Sequence, residues 1–100
     1  MLFRSVFIGP NDLHASLGAA PAFDSDLPAF NDALARILAS AKKNGVAPGI
    51  HVADAAQAKR RIAEGWQFIA ISSEVGMMLA HAAQIVKDIG LGTGAAAVKY

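Results

Sequence analysis

Apolar positions along the chain follow two alternating periods. Val6, Phe7 and Ile8 form a short run stopped by Gly9-Pro10-Asn11-Asp12, a cluster that breaks regular structure, so the pattern predicts a strand over residues 4–8 that ends in a loop. Leu27, Phe30, Leu34, Ile37, Leu38 and Ala41 then recur at three- and four-residue spacing, the signature of one helix face. Asp26 is placed to cap its start and Gly45 to follow its end. Residues 48–53 are short and partly β-branched and predict a second strand. Asp54 with Gln57 three positions on resembles a capping box, opening a helix through about Glu64 that Gly65 closes. Residues 67–72 are almost continuously apolar, as expected of a parallel strand covered on both faces. Ser73 is placed to cap a last helix, running to about Ile89, whose buried stripe is Val75, Met78, Leu79, Ala82, Ile85, Val86 and Ile89, with Gly90 at its end.

Three strand-then-helix units in a row predict an α/β fold with parallel strands and right-handed crossovers. The alternation does not choose between a barrel, a doubly wound sheet and part of either. Three parallel strands alone would leave two unpaired edges and an uncovered face, so the expected architecture is incomplete by itself. The expected layout is one partial domain over residues 1–90 and a loosely held tail at 91–100, where Gly92 and Gly94 stand among small residues.

Composition narrows the functional classes. With 54% hydrophobic and 17% charged residues in a chain of 100, one compact core is expected and disorder is not. A net charge of +1 with interspersed signs offers no basic footprint, so no nucleic-acid partner is expected. No cysteine is present, which removes disulfides and thiolate metal sites and is compatible with a reducing cytosol. Nothing near the start approaches a signal-peptide core or the roughly twenty apolar residues of a membrane span, so the expected location is cytoplasmic, without a membrane partner.

The segment Val6-Phe-Ile-Gly-Pro-Asn-Asp-Leu13, continued by Ala15-Ser-Leu-Gly18, resembles the signature of the HpcH/HpaI aldolase and citrate lyase superfamily. The resemblance extends through Lys42-Lys-Asn-Gly-Val-Ala-Pro-Gly-Ile50, Ala58-Lys-Arg-Arg-Ile-Ala-Glu-Gly65 and Phe68-Ile-Ala-Ile-Ser-Ser73. It covers most of this chain and less than half of the family domain. Family members are (β/α)8 TIM barrels, and the three units here would be the sixth, seventh and eighth.

The resemblance implies a metal-dependent lyase, a class II aldolase that reversibly cleaves a 4-hydroxy-2-oxo acid to pyruvate and an aldehyde. Asp12 matches the family's metal-binding aspartate, and a carboxylate there suits Mg²⁺, Mn²⁺ or Co²⁺. Asn11 and Asp12 match positions whose backbone amides receive the pyruvate carboxylate. Gly9 and Pro10 are expected to turn the chain so that these amides point together, as in an anion-binding nest. The metal would act as a Lewis acid on the enolate, so no Schiff-base lysine is implied. The second metal-binding carboxylate, the acid/base histidine and the enolate-facing arginine belong to earlier barrel units, so no catalytic residue is placed on this chain.

His51 stands where many members carry an aliphatic residue, facing the aldehyde side of the pocket. It is a candidate substrate-binding residue; the plainer alternative is a packed or solvent-reaching histidine in an apolar strand. His14 comes just after the metal-site loop without an assigned chemistry, and His81 lies on a helix. Asp12 itself could simply cap a helix or turn. Glu74 reads as an exposed acid in a first helical turn, Met77 and Met78 as core or interface filling, Arg60 and Arg61 as a solvated face, and Trp66 as a ring covering a helix end.

Two functions remain open. The chain is the C-terminal segment of an aldolase, inactive alone and completed by a missing N-terminal half or by other copies in a homo-oligomer; the family's terminal helix is exchanged between subunits, which makes residues 75–89 a candidate partner-seeking element. Alternatively it is a non-catalytic half-barrel that serves as a binding or assembly module. A doubly wound nucleotide-binding domain is the weakest reading, because Gly9-Pro-Asn-Asp lacks the glycine spacing of a phosphate loop and Gly90-Leu-Gly-Thr-Gly94 stands after the wrong element.

Overall fold

A computed structural model describes residues 4–91. Strands β1 (Ser5–Ile8), β2 (Ala47–Val52) and β3 (Phe68–Ile71) form one parallel sheet in the order β1-β2-β3. Helices α1 (Pro10–Ser16) and α2 (Pro28–Lys43) connect β1 to β2, α3 (Ala55–Glu64) connects β2 to β3, and α4 (Glu74–Ile89) comes after β3. Each strand is added beside its predecessor without a reversal of order, so the switch-point crevice of a doubly wound sheet is not found among the described residues. The tail expected at 91–100 lies, apart from Leu91, outside those residues.

Local chemistry explains most boundaries. Asp54 Oδ1 accepts the Gln57 backbone N–H at 2.9 Å, as the capping box predicts, while Gln57 Oε1 accepts from Ala53 N–H at 3.0 Å, one residue earlier than the usual reciprocal partner. Ser73 Oγ caps α4 by accepting from Gly76 N–H at 3.0 Å. Gly65 takes φ 110°, a left-handed value that a side chain would oppose, and this lets Trp66 N–H return to the Arg61 carbonyl at 3.1 Å. The expected cap at Asp26 is not formed: Leu27 occupies the cap position of α2, with Pro28 first in the helix. Were Asp26 the cap, Pro28 would sit at the second helical position, where the cap needs an N–H that proline lacks. Ser25 takes over part of the task, its Oγ accepting from Leu27 N–H at 3.3 Å and its carbonyl from Asn31 Nδ2 at 3.1 Å.

The core lies between the sheet and helices α2 and α3. Phe30, Leu34, Ile50, Val52, Ala58 and Trp66 are buried together, with Ile8, Leu13, Leu27, Ile37, Leu38 and Ile69 packed around them. Alternation along β2 sends Ile50 and Val52 into this core and leaves Gly49 and His51 on the opposite face. There Phe7 and Phe68 stack across Gly49, their rings 5.6 Å apart and 19° from parallel. A Cβ at residue 49 would lie 2.3 Å from the Phe68 ring, so only glycine admits the stack.

Two expectations of burial are corrected. The apolar run of β3 is not covered on both faces, since Phe68 and Ile71 are exposed. None of the α4 stripe from Val75 to Ile89 is buried, Met78 within it is exposed, and so is Met77 beside it. Periodicity specifies which face of a helix is apolar but not what lies opposite, and no other described element covers α4. The radius of gyration is 16.7 Å, against about 13 Å for a compact chain of this length.

Gly49→Ala is expected to lower unfolding free energy by about 1–3 kcal/mol in chemical denaturation, because the Phe68 ring must move. In a Phe68→Ala background the same substitution should cost under about 0.5 kcal/mol; equal costs in both backgrounds would show that the contact does not matter.

Candidate functional site

The carboxyl ends of the strands gather the residues singled out in the sequence. Ile8 pairs with Ile50, so the 9–12 segment leaves the sheet beside His51 and Val52. This segment is not the expected loop: α1 begins at Pro10, which is buried, with Asn11 half-buried and Asp12 exposed in its first turn. Gly9 has φ −93° and ψ 103°, ordinary extended values, so a glycine-permitted turn is not what aligns the amides. They align because they belong to a helix start. Leu13 N–H makes the first bond of the helix, to the Gly9 carbonyl at 2.9 Å, and the Asn11 and Asp12 amides precede it. The absent side chain at Gly9 matters for space instead, since a Cβ there would lie 3.3 Å from Asp12 Oδ2.

Asp12 is one oxygen donor. Among the described residues no group of three or more His, Cys, Asp or Glu is placed to hold a metal ion. These residues by themselves therefore do not fit a divalent cation, which takes several oxygen ligands.

His14 is a buried strut. Its Nδ1–H donates to the Pro10 carbonyl at 2.8 Å, its Nε2 accepts from Ser25 Oγ at 2.7 Å, and its ring stacks on Phe30 with centroids 3.9 Å apart. Both ring nitrogens are thus occupied, Nδ1 within the first turn of α1 and Nε2 in tying α1 to the segment before α2. Arg61, expected on a solvated face, is 5% exposed. Its guanidinium donates to Glu64 at 2.8 Å and to Asp24 at 3.2 Å, while Arg60, which is exposed, also pairs with Asp24. The long loop before α2 supplies the carboxylate that makes this burial tolerable. Trp66 is buried in the core as expected, and Glu74 lies exposed in the first turn of α4.

His51 is half-buried at the end of β2, away from the core. Its Nε2–H donates to the Ser72 carbonyl at 2.6 Å, and Phe23 meets the imidazole edge-on, with centroids 5.0 Å apart. His81 is exposed on α4. Ser25, Asp24, Phe23 and Ser72 had no local sequence signal, because each acts through a partner distant in the chain. A cavity of about 730 Å³ lies elsewhere, between α2 and the β1 edge, lined by Val6, Ala33, Ile37 and Asn44 among others.

Residues 3–82 match the model of the HpcH/HpaI aldolase/citrate lyase family. A hydroxypyruvate/pyruvate aldolase of Paraburkholderia phytofirmans is 39% identical over 84 residues, covering 84% of this chain and 32% of that protein. A 5-keto-4-deoxy-D-glucarate aldolase of Klebsiella pneumoniae is 39% identical over 72 residues, covering 72% and 27% respectively. The crystal structure of a HpcH/HpaI aldolase/citrate lyase family protein from Burkholderia cenocepacia superposes with a TM-score of 0.81 at 36% identity, over 87% of this chain and 33% of that one. The chain spans about a third of the length of the curated relatives it matches.

His14→Leu is expected to cost about 1–3 kcal/mol of stability, since it removes two side-chain hydrogen bonds, to the Pro10 carbonyl and from the Ser25 hydroxyl, at a buried position. Urea denaturation checks this; an unchanged midpoint would exclude a strut role.

Proposed function

The chain belongs to the HpcH/HpaI aldolase/citrate lyase family and carries three βα units of its TIM-type barrel, and on that premise we propose that it serves the aldol cleavage of 4-hydroxy-2-oxo acids to pyruvate and an aldehyde. One observation carries the reading: the Asn11 and Asp12 amides and the Asp12 carboxylate lie together at the carboxyl end of β1, on the rim where barrels of this type bind substrate. In this reading the two amides receive the substrate carboxylate, and the partial positive charge at the start of α1 adds to the attraction. Cleavage breaks the C3–C4 bond, passes its electron pair to pyruvate as the enolate and releases the 4-hydroxyl proton. The described residues hold no assigned acid or base for that proton.

Asp12 contributes one ligand to a divalent cation, Mg²⁺, Mn²⁺ or Co²⁺, whose other ligands come from beyond the described residues. Their source is further barrel units or other copies of the chain in a homo-oligomer. The uncovered α4 stripe and the exposed Phe7 and Phe68 favour a second reading, a half-barrel that serves binding or assembly without catalysis.

The discriminating assay monitors pyruvate release from a 4-hydroxy-2-oxo acid by the purified chain with Mn²⁺, Mg²⁺ or Co²⁺. Completion of the site by other copies of the chain expects metal-dependent turnover that falls at least about 100-fold in Asp12→Ala, a loss of roughly 2.7 kcal/mol of transition-state stabilisation. Turnover indifferent to that substitution would overturn the role of Asp12, and no pyruvate with any of the three metals would exclude completion by copies of the chain and leave either a segment inactive alone or the assembly module.

A further inference from the structure

The surroundings of His51 point to a role in recognition, with only the class of ligand resting on the aldolase reading. The Ser72 carbonyl can only accept a hydrogen bond, so the 2.6 Å contact requires the proton on Nε2. A neutral imidazole protonated there carries a lone pair on Nδ1. Among the described residues Nδ1 has no hydrogen-bond partner, while no buried side-chain nitrogen or oxygen is left without one. Nδ1 is therefore uncommitted among the described residues, at the carboxyl end of β2 and on the face away from the core.

The anchor is itself constrained. Ser72 has φ 58°, the one positive value at a non-glycine position among the described residues. Its N–H is held by the Val52 carbonyl at 2.8 Å, immediately after His51, and Ser73 begins the cap of α4. A strained backbone held from both sides fixes where its carbonyl lies, and so fixes the ring that donates to it. Phe23, edge-on at 89° to the imidazole, closes one side. A histidine serving only to fill space would need neither the locked tautomer nor the uncommitted nitrogen.

We propose that His51 reads a hydroxyl group on the aldehyde half of the substrate: Nδ1 accepts its hydrogen bond, so that the site prefers hydroxylated aldehydes to unhydroxylated ones. A buried or half-buried acceptor that goes unpaired with the wrong ligand gives stronger discrimination than an apolar pocket does. The role is one of specificity, since the atom contacted is not the one at which the bond breaks.

The test uses the chain labelled with ¹⁵N-histidine, with His51→Gln to assign the resonances. Two-bond ¹H–¹⁵N correlation should show neutral His51 protonated at Nε2, and glycolaldehyde should move its Nδ1 resonance saturably while acetaldehyde at equal concentration does not. Protonation at Nδ1, equal responses to the two aldehydes, or no response to either would overturn the proposal. Pyruvate release by a chain lacking the selective shift removes this inference alone. A selective shift in a chain that releases no pyruvate keeps His51 as a hydroxyl acceptor and shows that the chain by itself lacks the aldolase chemistry.

Discussion

Burial of Ile50 and Val52 beneath Phe30 is the constraint on which the rest of the structure depends. β2 is the one described strand paired along both edges, and its core-facing Ile50 and Val52 are fully shielded from water. Each such side chain contributes on the order of 1.5–3 kcal/mol relative to exposure. Because side chains alternate along a strand, placing Ile50 and Val52 inward places Gly49 and His51 outward. A slip of one residue would bury the imidazole and expose the aliphatic pair. The hydrophobic core thus sets the orientation of the polar group at the rim.

Much of the fold was legible because its signals are local. The three strands match the expected runs to within one residue at each end, and Asp54, Ser73, Gly65 and Gly90 stand at the helix ends that their chemistry predicts. Errors arose where a neighbour decided the outcome. Pro28 displaced the α2 cap from Asp26, and Pro10 opened a helix where the glycine beside it implied a loop. Proline is both a breaker and the best first residue of a helix, and only the residues after it distinguish the two uses. Burial is less legible in the sequence than structure type. Arg61 is inside because Asp24 reaches it from 37 positions away, while α4 has an apolar stripe and nothing against it.

The site was legible as a location more than as a mechanism. Gly9 to Leu13 placed the Asp12 carboxylate and two amides at the end of the first strand, and the structure puts them there, on a helix start instead of a nest. The histidines separated by environment. His14, close in sequence to Asp12, spends both nitrogens on holding α1, whereas His51 commits only one. Composition and spacing cannot distinguish these cases, because the deciding partners, Ser25 and Ser72, are placed by the fold.

The Phe7–Phe68 stack over Gly49 also bears on how this sheet can change over evolutionary time. With Phe68 in place, a first methyl group at position 49 meets aromatic carbon at 2.3 Å, so the direct step from glycine is obstructed. The permissive path runs through the aromatic residue: Phe68 must shrink before position 49 can gain a side chain, and the reverse order passes through a destabilised intermediate. Two residues on neighbouring strands are thereby bound into a favoured order of substitution, Phe68 before Gly49.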